Sequence, residues 1–383
     1  IRDVIVAFLF GAGVQTDAFY VAYRIPNLLR RLFAEGSLTV AFIPVFTEYL
    51  ELENEKEAKK ALNSIFSVLF IILLLITLLG VIFAPIIIKI YASGFDDETF
   101  NNAVTLNRIM FPYIFFISLS ALAMGVLNSL RHFFAPAFSP VLFNISMIVC
   151  AIVLYKYFNP PIIALAVGVI VGGIFQLLIN LYYLVSKGFL FKFTKFFKHD
   201  AVKRVSFLMA PQLFGIGVYN LNILVNTQFA SYMPSGTVSY LYFAERLIEF
   251  PLGIIAVSIA TVMLPALSSD AASNKLDDFK AKYNESLRLM LYIMIPAMVG
   301  LIFLRIPICN LLYQHGEFDY NAVIKTSEAI LGYGIGLWAI AGIRITVPAF
   351  YALKDTKTPV IAAFIAFIMN SVMAYVLGLS LIH

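Results

Sequence analysis

Hydrophobic positions in this chain run in long uncharged blocks, not in the narrow stripes of a water-soluble fold. Uncharged runs at 64–88, 109–130, 133–155 and 157–186 each exceed the about 20 apolar residues that cross a bilayer. The stretch 205–244 is uncharged for 40 residues and holds YMPSGT at 232–237, so it reads as two helices with a tight turn. The second of these continues into the run at about 246–267, and further spans fall at about 284–304, 326–351 and 358–381. Residues 17–48 form a more polar span and 1–13 the end of a truncated helix, giving eleven segments with the first incomplete. Pro26, Pro44, Pro85, Pro251 and Pro296 fall inside spans, which is tolerable where neighbouring helices satisfy the freed backbone groups.

Composition agrees with this pattern. The 383 residues are 61% hydrophobic and 13% charged, against about 45–50% and about 25% in a soluble domain. The expected class is an all-α polytopic membrane protein. Cys150 and Cys309 lack the spacing of a metal or redox motif and read as small core thiols. His132, His199, His315 and His383 fall at segment ends or in loops, which leaves no histidine for an intramembrane metal or His-dependent enzyme site. The chain opens on Ile1 with no signal-peptide pattern, so the numbering is expected to begin part-way along a longer protein.

The excess of 27 Lys+Arg over 22 Asp+Glu would suggest nucleic acid if the cations were clustered, but they follow topology instead. With the loop after the second helix placed in the cytoplasm, inner loops hold sixteen cations. These are Lys56, Lys59, Lys60, Arg131, Lys187, Lys192, Lys195, Lys198, Lys203, Arg204, Lys275, Lys280, Lys282, Arg288, Lys354 and Lys357. Outer loops hold five, namely Lys89, Arg108, Lys156, Arg305 and Lys325. The bias alternates through all ten connections and places the native N-terminus in the cytoplasm. No nucleic-acid partner is expected. In KGFLFKFTKFFKHDAVKR (187–204), Lys192, Lys195 and Lys198 recur every three residues. That spacing predicts an interfacial amphipathic helix, with a lipid-headgroup sensor as a weaker alternative.

The chain also repeats itself at an offset of about 222 residues. DAFYVAYRIPN (17–27) lies over SYLYFAERLIE (239–249), and Pro85, Tyr91 and Gly94 meet Pro307, Tyr313 and Gly316. Pro44 meets Pro265, Pro136 meets Pro359, and EKEAKKALNS (55–64) lies over LDDFKAKYNES (276–286). A six-helix repeat unit gives both copies the same membrane orientation, the parallel-repeat transporter plan. The predicted organisation is an N-terminal lobe (1–190), a linker (191–204) and a truncated C-terminal lobe (205–383).

Six basic residues remain inside or beside the spans: Arg2, Arg24, Arg30, Arg31, Arg246 and Arg344. A charge at mid-bilayer costs about 2.5–3.5 kcal/mol even on insertion scales, so each needs water, a partner or an anionic ligand. Arg24 and Arg246 are repeat equivalents, expected on facing walls of a central cleft. Arg31 and Arg344 read better as snorkelling side chains. Ion pairing offers a plainer account of Arg24 and Arg246, since Glu245 and Glu249 lie near one and Asp17 shares a helix with the other. The functional account is a basic cavity for a bulky anion, because the planar guanidinium fork suits phosphate. Carboxylates in the spans are Asp3, Asp17, Glu35, Glu245 and Glu249. Asp17 follows the turn GAGVQT, where helix-start capping and gating are both open. Asn226 and Asn370 are candidates for a cation such as sodium, or for interhelical hydrogen bonds.

FGAGVQTDAFYVAYRIPNLLRRLFAEGSLTVAFIPVFTEY (10–49) strongly resembles the second-helix signature of the MurJ/MviN lipid II flippases. FPYIFFISLSALAMGVLNS (111–129), FAPAFSPVLFNIS (134–146), YFNPPIIALAVGVIVGG (157–173), YFAERLIEFPLGIIAVSIATVMLPALS (242–268) and PAFYALKDTKTPV (348–360) are similar in family order. The resemblance implies a fold of the multidrug/oligosaccharidyl-lipid/polysaccharide exporter superfamily, with fourteen helices of which the start of the first and the last three are missing here. It implies transport without covalent chemistry: the undecaprenyl-pyrophosphate-linked peptidoglycan precursor moves from the inner to the outer leaflet of the bacterial cytoplasmic membrane by alternating access. The basic cavity positions of the family fall on Arg2, Arg24, Arg30 and Arg246, and its gating and cavity polar groups on Asp3, Asp17, Asn27, Ser239 and Glu249. No cofactor is implied; sodium or the membrane potential are the coupling candidates. Lipid II and membrane lipids are the implied partners, a cell-wall synthesis complex a further one, and the chain is expected to act as a monomer. A flippase for another polyprenol-linked glycan and a cation or drug exporter of the same superfamily remain alternatives. A membrane transferase would need an acid/base or metal constellation that the sequence does not offer.

Overall fold

The computed structural model describes residues 1–30, 37–194 and 199–382. Arg31, Glu35, Lys195, Lys198 and His383 therefore lie outside the described residues. No strand occurs among those described. The helices are α1 (Arg2–Phe10), α2 (Val14–Arg30), α3 (Ser37–Glu48), α4 (Glu55–Ile82), α5 (Ala84–Tyr91), α6 (Asp97–Met110), α7 (Tyr113–Ser129), α8 (Phe134–Leu154), α9 (Ile163–Ser186), α10 (Asp200–Ser231), α11 (Thr237–Pro251), α12 (Val257–Ala272), α13 (Leu276–Phe303), α14 (Arg305–Tyr313), α15 (Tyr320–Ile335), α16 (Leu337–Ala352) and α17 (Lys357–Ile382).

Among the described residues seven helical runs are long and apolar enough to cross a membrane, and α15 with α16 makes an eighth bent by 45°. The other three expected segments are α1, which is nine residues long, the pair α2 and α3, and the 32-residue α10. Exposed Leu74, Leu75, Leu78 and Ile82 on α4, and Ile361, Phe364, Ile365 and Ile368 on α17, suit a hydrocarbon solvent.

The chain forms two compact units, residues 1–10 with 14–233 and residues 11–13 with 234–383. In the first, α7 is the central helix: α3, α4 and α9 pack on it, and α2 packs on α6. α8 and α9 lie unusually close, because a Cβ on Gly168 would sit 2.9 Å from the Met147 Cα. Close backbone approach through small residues is how helices gain contact where lipid gives no hydrophobic drive. α10 packs on α3, α4 and α5 and so belongs to this first unit. In the second unit α11 packs on α15, and α12, α13 and α16 pack mutually.

The same helix punctuation recurs in both units one sequence repeat apart. α4 gives way to α5 at Phe83 (φ −88°, ψ 12°), and α13 to α14 at Leu304 (φ −96°, ψ 10°). Asp96 caps α6 by accepting from the Thr99 N–H, and Asp319 caps α15 by accepting from the Ala322 N–H. After α7 and α16 the chain turns through left-handed Arg131 (φ 57°) and Lys354 (φ 60°). Glycine is the usual choice there; a cation instead meets the negative end of the helix dipole.

The linker corrects the sequence reading. Residues 189–194 are not helical. The controlling period is two, set by phenylalanine, rather than three, set by lysine: Phe189 meets Phe46, Phe191 stacks on Phe66 at 4.7 Å, and Phe193 packs edge-on to Phe70 at 4.8 Å. Alternate backbone N–H groups are taken up by α4, where Asn63 accepts from Lys192 (2.8 Å) and Ser67 from Thr194 (3.0 Å). Over 189–194 a non-helical strap whose Lys192 and Thr194 donors are taken up stands in place of the expected amphipathic helix, while Lys195 and Lys198 lie outside the described residues and 200–204 belong to α10.

Candidate functional site

The polar residues within the first unit gather around α2. Pro26 lacks an N–H, so it cannot bond the carbonyl of Ala22 one turn earlier. The fully buried Asn107 of α6 fills that gap, donating through Nδ2 to the Ala22 carbonyl at 3.1 Å. This cross-helix bond lets α2 keep a proline in an apolar setting. It fixes the turn that carries Arg24.

Arg24 is half-buried, and its Nη1 donates to the hydroxyl of Thr227 on α10. Thr227 is fully buried and donates its own proton to the Ile223 carbonyl at 2.6 Å. Its lone pairs are thus presented to the guanidinium. Arg2 bonds its neighbour Asp3 through Nε and Nη2, at 3.0 and 2.8 Å. Arg30 Nε donates to Asn27 Oδ1 at 3.0 Å, one turn back on α2. Asp17 is buried inside the first turn of α2, where its charge meets the positive end of the helix dipole.

In the second unit Ser239 is fully buried in the first turn of α11. One face of that helix carries Arg246, which donates to Glu249 Oε2 at 2.6 Å and lies 4.8 Å from the Tyr242 ring centre. The local ion pair named from the sequence is therefore present for Arg246, whereas Arg24 has a neutral, long-range partner. A guanidinium over an aromatic face keeps its plane oriented. Both repeat-equivalent arginines are held, by different chemistry.

Asn226 is exposed on α10 and Asn370 is half-buried on α17, in different units. Among the described residues no three His, Cys, Asp or Glu side chains come together as a metal site would require. Cys309 is buried, and neither Cys150 nor Cys309 is joined in a disulfide. Thr227 and Asn107 are the members that sequence reasoning missed. Asn107 had a signal, since a proline in a buried helix demands a donor from somewhere; Thr227 had none, being one hydroxyl in an apolar run.

Comparison with known proteins follows the same lines. The sequence profile of a family described as lipid II flippase MurJ matches residues 6–383. The lipid II flippase MurJ of Burkholderia cenocepacia is 38% identical over 381 residues, covering 98% of this chain and 74% of that protein. The probable lipid II flippase MurJ of Vibrio cholerae is 37% identical over 382 residues, covering 97% and 73%. A solved structure of lipid II flippase MurJ in an inward closed conformation superposes with a TM-score of 0.86 at 31% identity, covering all of this chain and 80% of that one. An inward-facing multidrug resistance MATE transporter superposes at 0.70 with 12% identity, covering 99% and 93%, a likeness of fold alone.

Proposed function

The chain belongs to the MurJ family of lipid II flippases, and on that premise we propose a mechanism in which arginines, not a covalent step, carry the headgroup across. The protein is a multi-pass membrane transporter, not an enzyme, and it moves lipid II for peptidoglycan synthesis. The physical problem is the cargo. A pyrophosphate and a run of sugar hydroxyls would each lose water in hydrocarbon, at several kcal/mol per unsatisfied polar group. Arg24, Arg246, Arg2 and Arg30 replace that water with charge-assisted hydrogen bonds, while the isoprenoid tail stays in lipid. Transfer proceeds by alternating access.

The observation that carries the site assignment is Arg24: a half-buried guanidinium in an apolar bundle whose partner is a neutral hydroxyl. A neutral partner leaves the full positive charge of Arg24 for a phosphate, whereas the charges of Arg2 and Arg246 are partly offset by Asp3 and Glu249. The remaining polar positions, Asp3, Asp17, Asn27, Ser239 and Glu249, serve in the same reading as gates or sugar contacts. Placement in the bacterial inner membrane with a cytoplasmic native N-terminus belongs to the proposal, supported by the sixteen-to-five loop bias. So does coupling to sodium or to the membrane potential, which would act on the arginines during the return step.

Growth of a bacterium depleted of its own flippase tests the site. Wild-type protein restores growth, while Arg24→Ala and Arg246→Ala, at equal membrane levels, do not. Full growth with both arginines replaced would sink the basic-site mechanism.

A further inference from the structure

We propose that Thr227 is a positioning residue for Arg24: it sets the plane of the guanidinium so that its remaining N–H groups meet the pyrophosphate. The inference rests on the reading of Arg24 as a headgroup ligand. Three observations carry it. The contact joins residues 203 positions apart, so it is not an accident of helical neighbourhood. Thr227 is fully buried and its proton is committed to the Ile223 carbonyl, so the oxygen can serve Arg24 only as an acceptor. Only Nη1 is engaged by Thr227, and a guanidinium has a second edge suited to two parallel bonds with phosphate oxygens.

The turn of α10 that carries Thr227 is itself pinned. In the α5–α6 loop, the Ser93 N–H donates to Gln228 Oε1 at 3.1 Å and the Gly94 N–H to the Ser231 hydroxyl at 3.0 Å. The Ser93 and Tyr232 hydroxyls share a bond of 2.7 Å, and Gln228 Nε2 donates to the Ser93 hydroxyl. A Cβ on Gly94 would lie 2.7 Å from the Tyr232 nitrogen, so only glycine permits this approach. None of these bonds involves a charge, and together they remove the rotation by which the α10 terminus could carry Thr227 away. A side chain as long as arginine loses much rotamer freedom on being fixed; fixing it before the ligand arrives moves that cost from binding to folding.

The test is lipid II binding to purified protein in nanodiscs, read for wild type, Thr227→Val, Thr227→Ser, Arg24→Ala and the double variant Arg24→Ala/Thr227→Val. Valine keeps the shape and loses the acceptor; serine keeps the acceptor. Arg24→Ala and Thr227→Val should each weaken binding about tenfold, the scale of one hydrogen bond to a charged group. Thr227→Ser should bind as wild type, and the double variant no more weakly than Arg24→Ala alone. Wild-type affinity for Thr227→Val beside a weakened Arg24→Ala would overturn the positioning role and leave the function standing. A double variant weaker than Arg24→Ala by the full Thr227→Val factor would overturn it too, since a merely structural threonine acts independently of the arginine. Wild-type affinity for Arg24→Ala would remove Arg24 from the headgroup site, and the role of Thr227 with it.

Discussion

A single missing backbone donor explains much of the local architecture around Arg24. Pro26 frees the Ala22 carbonyl, Asn107 takes it up, and Arg24 sits between the two on the same turn. Replacing Asn107 with alanine leaves a buried carbonyl without a donor, at about 1–3 kcal/mol. Thermal unfolding in detergent should show Asn107→Ala melting below wild type, with Asn107→Asp, which loses the donor, destabilised as well. An unchanged melting temperature for both would mean that α2 satisfies its proline break without α6. At this scale the sequence is informative about charges and about local partners such as Glu249, and silent about long-range ones. Arg24 stands out because a cation in an apolar run is costly wherever it lies. Thr227 does not, because a hydroxyl in such a run is ordinary until its long-range neighbour is known, and Asn107 is signalled only by the donor that the Pro26 break demands.

Helices and their ends show a second layer of control. Among the described residues eight of the eleven expected spans, counting the bent pair α15 and α16 as one, are long and apolar enough to cross a membrane, because length and the absence of charge define such a helix with little dependence on neighbours. The linker was misread for the opposite reason. A lysine period of three (192, 195, 198) and a phenylalanine period of two (189, 191, 193) overlap in the linker sequence, and over 189–194 the aromatic face on α3 and α4, invisible in a local window, decides between them. Ends are held by acids. Asp355 accepts from the Thr358 hydroxyl and the Lys357 and Thr358 N–H groups at the start of α17, and these bonds hold its carboxyl below the usual carboxylate range. A depressed folded pKa means the stabilisation is present above the ordinary aspartate value of about 4 and is lost as pH falls through the lower folded value. Asp355→Ala should therefore unfold more readily than wild type at pH 7, and the gap should close on acidification as Asp355 becomes protonated in the folded protein. A gap independent of pH would show that the cap acts through something other than the ionised carboxylate.

For the whole molecule, the internal repeat and the family membership answer different questions. The repeat expected from the sequence accords with the helix breaks, aspartate caps and left-handed basic residues found in both units. It does not specify cargo, as the MATE transporter shows by sharing the fold at 12% identity. Cargo follows from the family and from the sign of the charges placed in the spans. The boundary between units is the point at which sequence and contacts part: a six-helix count ends the first lobe at 190, whereas α10 packs on α3, α4 and α5. A helix that follows the linker in sequence but joins the earlier unit in space cannot be assigned by counting spans. Its terminal turn supplies the partner of Arg24, so this departure from the simple repeat bears directly on the site.

The central claim is that this chain carries lipid II from the inner to the outer leaflet, with Arg24 and Arg246 holding the headgroup. Leaflet accessibility of labelled lipid II measures it most directly, in cells whose own flippase is depleted and which carry this protein. An enzyme that cleaves only outward-facing lipid II should release label from cells with wild-type protein and little from cells with Arg24→Ala or Arg246→Ala. Release no greater with wild-type protein than without it, or undiminished when both arginines are replaced, would contradict the account.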